Sequence, residues 1–317
     1  MRTLPLVIAL ALPLSTFAGE APPQVTTTPV DEGSVFDAAQ RPITNPTLFD
    51  LPLARTQIHG IYMYHRFPDF LDTQLGEVPA GGQANIFALQ LEFALTDTIS
   101  FTATKDGYAD VDFDDNSPLS DADGFANLAG GLKWNFYKNE ETGIAAAFTG
   151  VVEFPVGDEE IFQGEGDGAA IVSLSAMKIG EKYQVASVLG AKLPFDSNAE
   201  SIVGYASGHV SYKVTSWFQP LVEVNWFYVI DEGDGGSRYG DQVGGAVPAV
   251  VNFEGGDLFN LGAANASENR NFVSLAVGAR FPITENLALG AAYELPLTDD
   301  GASLMEDRIT VDVVYTF

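Results

Sequence analysis

Apolar and polar residues alternate along most of the chain after residue 56, in stretches separated by short polar segments. The clearest stretch is 86–95, where the apolar residues of one parity are Phe87, Leu89, Leu91, Phe93 and Leu95. Gln90 and Glu92 lie between them, on the opposite parity. A period of two residues places successive side chains on opposite faces of a β-strand, so the pattern predicts strands with one apolar face.

The alternation predicts about twelve strands, most of them about ten residues or longer, which is enough for a tilted strand to cross a bilayer. They are 56–67, 84–95, 98–107, 124–137, 143–154, 168–179, 183–193, 202–214, 217–230, 271–281, 287–296 and 306–317. The connections between them alternate strictly between short and long. Tight turns on one side and long loops on the other are typical of an outer-membrane barrel, and a soluble sandwich has no reason to sort its loops in this way.

The sequence therefore predicts an all-β fold, a single transmembrane antiparallel up-and-down β-barrel over 56–317. An even number of strands returns both ends of the barrel to the periplasmic side. Residues 19–55 are rich in Pro, Thr and Ala without a sustained period. We interpret 19–55 as a periplasmic N-terminal arm that precedes the first strand.

The two ends of the chain carry the expected targeting signals. Residues 1–18 combine Arg2, an apolar core over 4–14 and small residues at Thr16 and Ala18, which is typical of a cleaved signal peptide. The last strand has apolar residues at alternate positions and ends on Phe317. It is similar to the sorting signal read by the barrel-assembly machinery of Gram-negative bacteria, so we expect outer-membrane localisation with that machinery, lipid and lipopolysaccharide as partners.

Composition narrows the possible functions. The chain has no cysteine, which excludes disulfides, thiolate metal sites and thiol catalysis. It has 15 Lys and Arg against 43 Asp and Glu, a formal net charge of −28, which argues against a nucleic-acid partner. The hydrophobic fraction of 46% is too high for a disordered secreted chain.

Strand parity assigns ten charged residues to the lumen, because a charge on the lipid face would cost roughly 2–4 kcal/mol at mid-bilayer. The direction of each strand then assigns their depth. We expect Glu92, Lys133, Lys213 and Arg280 in the periplasmic half, Glu153, Lys192, Glu223, Glu294 and Arg308 in the outer half, and Asp312 between them. The lumen could be open, or closed by pairs such as Lys133 with Glu92, or closed by an inward fold of loop 231–270.

Most of the remaining acidic residues lie in the long loops, and three interpretations of these residues stay open. It could form a repulsive surface that binds divalent cations loosely beside lipopolysaccharide, or a vestibule that attracts cations. The third is a calcium site at 110–116, although that segment lacks the ordered Gly and terminal Glu of an EF-hand loop.

Candidate catalytic residues are few. His209 and Ser211 have the His-x-Ser spacing used by a twelve-stranded outer-membrane phospholipase family, but parity turns both into the lumen near the periplasmic end. The Gly-rich segment 164–168 leads into a strand and so cannot place a phosphate at a helix N-terminus. We predict no enzyme activity, no catalytic residues, no metal site and no cofactor.

The chain resembles the outer-membrane transporter family named for the meta-pathway of phenol degradation. The resemblance lies in 102–108 (TATKDGY), 124–135 (GFANLAGGLKWN), the hairpin residues 144–154 and the C-terminal strand. The proline-rich 42–46 (PITNP) is similar to the lead-in of uncharacterised relatives. The resemblance implies a twelve-stranded barrel and uptake of apolar or small organic solutes, and we predict a passive channel or uptake protein for small solutes. The alternatives are a non-conducting structural or surface-interaction barrel and, third, an outer-membrane hydrolase.

Overall fold

A computed structural model describes residues 33–240, 242–299 and 301–317. The predicted signal peptide lies outside these residues. Sixteen strands are present in the described part. In chain order they are β1 Gln57–Arg66, β2 Phe70–Thr73, β3 Gly76–Pro79, β4 Gln83–Ala94, β5 Ile99–Lys105, β6 Tyr108–Asp112, β7 Ala122–Phe125, β8 Leu128–Asn139, β9 Ile144–Phe154, β10 Ala169–Ile179, β11 Tyr183–Pro194, β12 Ile202–Tyr212, β13 Gln219–Asp231, β14 Asn271–Pro282, β15 Leu287–Pro296 and β16 Asp307–Thr316.

The sheet closes on itself as an antiparallel barrel. β1 pairs with the last strand, β16, and on its other side with β4, and every other wall strand pairs with its neighbours in sequence. β5 and β6 pair in turn with β4, so they act as one interrupted strand, and β7 and β8 form another. The prediction of a twelve-stranded up-and-down barrel is confirmed.

The parity of each strand separates an outer apolar face of the barrel wall from an inner face. Large apolar side chains of the predicted outer face point away from the barrel, as in Leu89 at 50% and Trp134 at 54% exposure. The other parity carries small or polar side chains that are buried inside, such as Ala145, Asn225 and Ser274 at 0% exposure. An apolar outer surface around a polar interior is the arrangement of a transmembrane barrel. No helix of the described residues is long and apolar enough to cross a bilayer.

The connections keep the predicted alternation of lengths. The short ones are 95–98, 140–143, 180–182, 213–218 and 283–286. The long ones are 67–82, 113–121, 155–168, 195–201, 232–270 and 297–306. The first long connection contains the β2–β3 hairpin, and 232–270 contains the one-turn helix α1, Val247–Val250. We call the two ends of the barrel the turn end and the loop end.

One interruption of the wall lies between β5 and β6. Leu89 N–H there donates to the side chain of Asp106 at 2.9 Å instead of to a strand carbonyl. Gly107 has φ of 134°, and a Cβ at this position would lie 2.7 Å from the carbonyl oxygen of Phe87. Because only glycine tolerates both the backbone angle and the close approach, Gly107 allows the strand to break and resume.

Candidate functional site

The residues that precede β1 lie inside the barrel. Ile43, Thr44, Asn45 and Phe49 are fully buried, and Asn45 Nδ2 donates to Ser207 Oγ of β12 at 2.9 Å. We call residues 34–55 the arm. The sequence predicted a periplasmic arm over 19–55 before a barrel that begins at residue 56, and the structure places residues 34–55 against the inner face of the barrel. The backbone polar groups of the arm are hydrogen bonded to the inner wall. The sequence of the arm has no periodic pattern, so it does not reveal these contacts.

Glu223 of β13 holds the middle of the arm. Its carboxylate accepts the main-chain N–H of Ile43 at 3.0 Å and that of Thr44 at 2.7 Å. The Thr44 hydroxyl adds a bond of 2.6 Å, and His209 Nδ1 lies 2.7 Å away on the wall side. A fully buried carboxylate with this many donors is compensated for the loss of water. The arm therefore supplies part of the solvation of a wall charge.

Arg280 of β14 binds the part of the arm that precedes Ile43. Its Nε donates to the carbonyl of Arg41 at 2.8 Å and its Nη2 to that of Pro42 at 3.0 Å. The same guanidinium bonds both oxygens of Asp312, which also lies 2.7 Å from His59 Nε2. The wall thus binds this stretch of the arm through main-chain groups.

A third anchor joins the returning half of the arm to β8. Lys133 Nζ lies 2.7 Å from Asp50 and 2.8 Å from Glu92 of β4, with Arg41 of the arm 3.4 Å from the same aspartate. Burial by itself would raise the pKa of Asp50, but the charges of Arg41 and Lys133 outweigh it and hold that pKa below its ordinary value. Asp50 is therefore ionised at neutral pH.

The connection 232–270 fills the loop end. An inward fold of this loop was one of the alternatives that the sequence left open for the lumen. Phe253, Leu261 and Ala263 are fully buried in a cluster with residues of the neighbouring loops. We call this connection the inner loop. Its Asp257 lies 2.9 Å from Arg308 of β16, and Thr47 Oγ1 of the arm lies 3.4 Å from the Asp257 carbonyl oxygen. The arm and the inner loop therefore meet in mid-barrel.

The inner loop folds around one carboxylate. Glu254 accepts the hydroxyl of Ser201 and the main-chain N–H groups of Gly255, Leu261 and Ala263. Burial raises the pKa of Glu254 above its ordinary value, against the effect of these donors. The side chain fixes the shape of the loop where it enters the barrel.

A second cluster of charges lies on the wall near this meeting point. Glu153 of β9 accepts Lys105 Nζ at 2.8 Å and lies 3.3 Å from Lys192 Nζ. Lys192 is also 2.6 Å from Glu200. The two lysines and two glutamates alternate in sign and are largely buried, so each charge has a compensating neighbour.

Nine of the ten charged residues assigned to the lumen lie on the inner face with little exposure, namely Glu92, Lys133, Glu153, Lys192, Glu223, Arg280, Glu294, Arg308 and Asp312. Lys213 does not, because β12 ends at Tyr212 and Lys213 lies exposed in the following turn. Glu223 lies near the start of β13, in the turn-end half and not in the outer half as expected. The sequence missed Arg41, Asp50, Lys105, Glu200 and Asp257, most of which lie outside the regular alternation.

Several small cavities adjoin the arm. One of about 50 Å³ is lined mainly by apolar residues of β1, β4 and β6, such as Ile61, Met63 and Val111, and reaches the wall interruption at Asp106. Two others of about 30 Å³ each lie on the β9–β12 side of Thr47 and Leu48. A dry cavity that holds benzene is about 150 Å³, so none of them holds such a solute without movement of its walls.

His209 and Ser211 form a triad-like arrangement with Glu223. His209 Nε2 lies 3.0 Å from Ser211 Oγ, and its Nδ1 faces Glu223. All three side chains are buried beneath the arm, with Ser211 at 3% exposure, and Ser211 lines none of the cavities described above. We interpret His209 as a group that orients Glu223 toward the arm.

This interpretation makes a testable prediction. Glu223→Ala should lower the hydrogen-exchange protection of the Ile43 and Thr44 amides by about ten- to a hundredfold, because bonds to a buried charge contribute roughly 1.5–3 kcal/mol. Ser211→Ala is the matched control and should leave protection unchanged. The wild-type protein should hydrolyse a short-chain nitrophenyl ester no faster than the empty lipid. Ester hydrolysis that disappears in Ser211→Ala would instead assign catalysis to this group.

The acidic loops provide no metal centre among the described residues, where no three His, Asp or Glu side chains come close enough to share an ion. In the segment considered for calcium, Phe113 N–H is bonded to the carboxylate of Asp121, at 2.8 Å.

Comparison with known proteins defines the fold. No protein-family model and no curated protein matches the chain. Among solved structures, the COG4313 outer membrane channel from Pseudomonas putida F1 is 17% identical with a TM-score of 0.57, covering 83% of this chain and 96% of that one. The NanC porin (7% identical, TM-score 0.48, 83% and 100% covered) and the KdgM porin (8%, 0.41, 82% and 99%) are more distant.

Proposed function

We propose that this chain is an outer-membrane barrel that takes up small solutes, apolar ones included, by passive passage through an interior that opens when the arm and inner loop move. The observation that carries the proposal is the pairing of the wall charges. Lys133 has Glu92, Arg280 has Asp312 and Arg308 has Glu294, each within the wall itself. Displacing the inner segments therefore leaves each of these three cations with its carboxylate.

The lining of the 50 Å³ cavity supports apolar solutes. Its walls are mainly aliphatic side chains of the strands, with Lys105 and Asp106 among the polar exceptions, and Phe259 of the inner loop also lines it. A pocket of this kind favours apolar solutes through burial of their surface, at roughly 25 cal/mol per Å². The outward apolar belt supports placement in the outer membrane, and the alternate apolar residues of β16 support insertion by the assembly machinery. The acidic loops would then face lipopolysaccharide.

A second candidate is a non-conducting barrel that uses its loops as a contact surface. The observation that favours it is the filled interior, in which the cavities described are too small for a solute. The two candidates differ in whether the arm and the inner loop leave the lumen.

Uptake of an apolar dye separates these candidates. Cells that express the protein should accumulate N-phenylnaphthylamine, which fluoresces on reaching lipid, about tenfold faster than cells without it. Replacement of Ile61 and Met63 by Asp is the matched perturbation and should reduce uptake, because charges replace the aliphatic lining. Uptake equal to that of cells lacking the protein, with the barrel folded in the membrane, would favour the non-conducting barrel.

A further inference from the structure

One of the mid-barrel cavities has walls of two chemical kinds. It lies between the tip of the arm and the inner loop, with a volume of about 30 Å³. Its apolar side is formed by Leu48, Ile171, Val203, Phe227 and Phe259, and its polar side by Lys105, Lys192, Glu153 and Asp257. We call it the mid-lumen cavity. Both movable segments contribute to it, Leu48 from the arm and Phe259 from the inner loop.

The cations on this wall are already engaged. Lys105 is 2.8 Å from Glu153, and Lys192 is 2.6 Å from Glu200. Arg308, which lies behind the cavity, bonds Asp257 Oδ1 at 2.9 Å and Glu294 at 2.8 Å. A ligand carboxylate would have to displace one of these protein carboxylates, so the wall offers little to an anion.

One polar atom of the wall lacks a partner. Asp257 Oδ2 has no hydrogen bond among the described residues, although its side chain is only 3% exposed. A buried carboxylate oxygen without a donor costs free energy comparable to a lost charged hydrogen bond. The atom only accepts hydrogen bonds, so the group that satisfies it must be a donor.

A smaller cavity of about 10 Å³ also reaches Asp257, and His65 Nδ1 on its wall likewise lacks a partner. That space fits one water molecule, which could donate to both atoms. The mid-lumen cavity is larger, adjoins the 50 Å³ apolar cavity through Thr47, Lys105 and Phe259, and is bounded by side chains that do not belong to the wall. It can therefore widen around a solute.

We propose that the mid-lumen cavity is a binding site for small apolar molecules that carry one hydrogen-bond donor, a hydroxyl or an ammonium group, which donates to Asp257 Oδ2. The site rests on the proposed uptake function and adds a solute class to it. The apolar body lies against Ile171, Phe227 and Phe259. Occupation pushes Leu48 and Phe259 apart, so binding also loosens the contact between the arm and the inner loop.

Equilibrium binding to the purified protein in lipid nanodiscs, corrected with empty nanodiscs, tests the proposal. Benzyl alcohol and anisole are isomers that differ in the presence of a donor. Benzyl alcohol should bind about tenfold or more tightly than anisole, because only its hydroxyl satisfies the buried carboxylate. Benzylamine shows which donor the site favours. If benzylamine binds more tightly than benzyl alcohol, the site prefers an ammonium group, and if it binds more weakly, the site prefers a hydroxyl.

Asp257→Asn should remove most of the preference. Its carbonyl oxygen keeps the bond to Arg308, and the amide N–H₂ then occupies the place of Oδ2 and can donate both to the hydroxyl oxygen of benzyl alcohol and to the ether oxygen of anisole. Asp234→Asn, in an exposed part of the same loop, is the control and should keep the wild-type preference. Equal binding of the isomers to the wild-type protein, an undiminished preference in Asp257→Asn, or no binding of either isomer would overturn the site. Dye uptake is measured separately, so the uptake function can survive that result.

Discussion

A barrel freed of both inner segments should conduct ions in discrete steps, whereas a barrel that lacks only one of them should stay almost silent. The arm fills the turn end and the inner loop fills the loop end, so the two obstructions lie in series along one path. Deletion of 34–50, replacement of 236–268 by a short Gly-Ser linker, and the combination of both give the set of proteins to compare in planar bilayers. We expect the combined variant to exceed either single variant by on the order of tenfold in conductance, since a bare twelve-stranded barrel leaves a narrow lumen.

The folding of each of these variants can be checked independently of its conductance. The wall pairs Lys133–Glu92 and Arg308–Glu294 remain when the segments are removed, so each variant should keep the compact form seen as heat-modifiable migration on gels. Equal, high conductance after deletion of the arm alone would show that the inner loop does not obstruct the path. Silence of the folded combined variant would contradict the series arrangement.

Arg280→Ala should produce the largest loss of stability from a single substitution. The guanidinium is fully buried, pairs with Asp312 and bonds the carbonyls of Arg41 and Pro42. Removing one partner of a buried ion pair leaves an uncompensated charge and typically costs about 3–5 kcal/mol. Urea unfolding in lipid vesicles measures the free energy of unfolding directly, and exchange of the arm amides should accelerate in parallel.

Arg66→Ala is the matched control. Arg66 also pairs with an aspartate, Asp307 of β16, but its side chain is 42% exposed. An exposed pair contributes about 1 kcal/mol or less, so this variant should unfold close to the wild-type urea concentration. Similar losses for both arginines would contradict the role assigned to burial, and an intact arm in Arg280→Ala would contradict its role in holding the arm.

The strands could be predicted from the sequence because the bilayer imposes a strict rule on each wall residue. Leu89 and Glu92 must face opposite environments, and the period of two records that requirement. Lys213 was misplaced because it follows the final residue of β12, where the rule no longer applies. The strand break at Gly107 was equally invisible, since it depends on a close approach to Phe87 that involves only backbone atoms.

The filling of the interior could not be predicted in the same way. Glu223 and Arg280 bind main-chain groups of the arm, and every residue has such groups, so no side-chain pattern marks Ile43 or Pro42 as their partners. The inner loop was considered as a possible obstruction because of its length. The pairing of Asp257 with Arg308 depends on how that loop turns, which the sequence does not specify.

The position of the arm is the centre of this account, and a pair of cysteines tests it most directly. The chain has no native cysteine, so Asn45→Cys combined with Ser207→Cys introduces the only thiols. The two side chains are hydrogen bonded at 2.9 Å inside the barrel. A short bifunctional thiol reagent applied to cells carrying the double variant should join residue 45 to β12, seen as a linked fragment after cleavage between them, whereas Asn45→Cys with exposed Val210→Cys should not link. Failure of the first pair to link in a folded barrel, or equal linking of both pairs, would contradict an arm held inside the lumen.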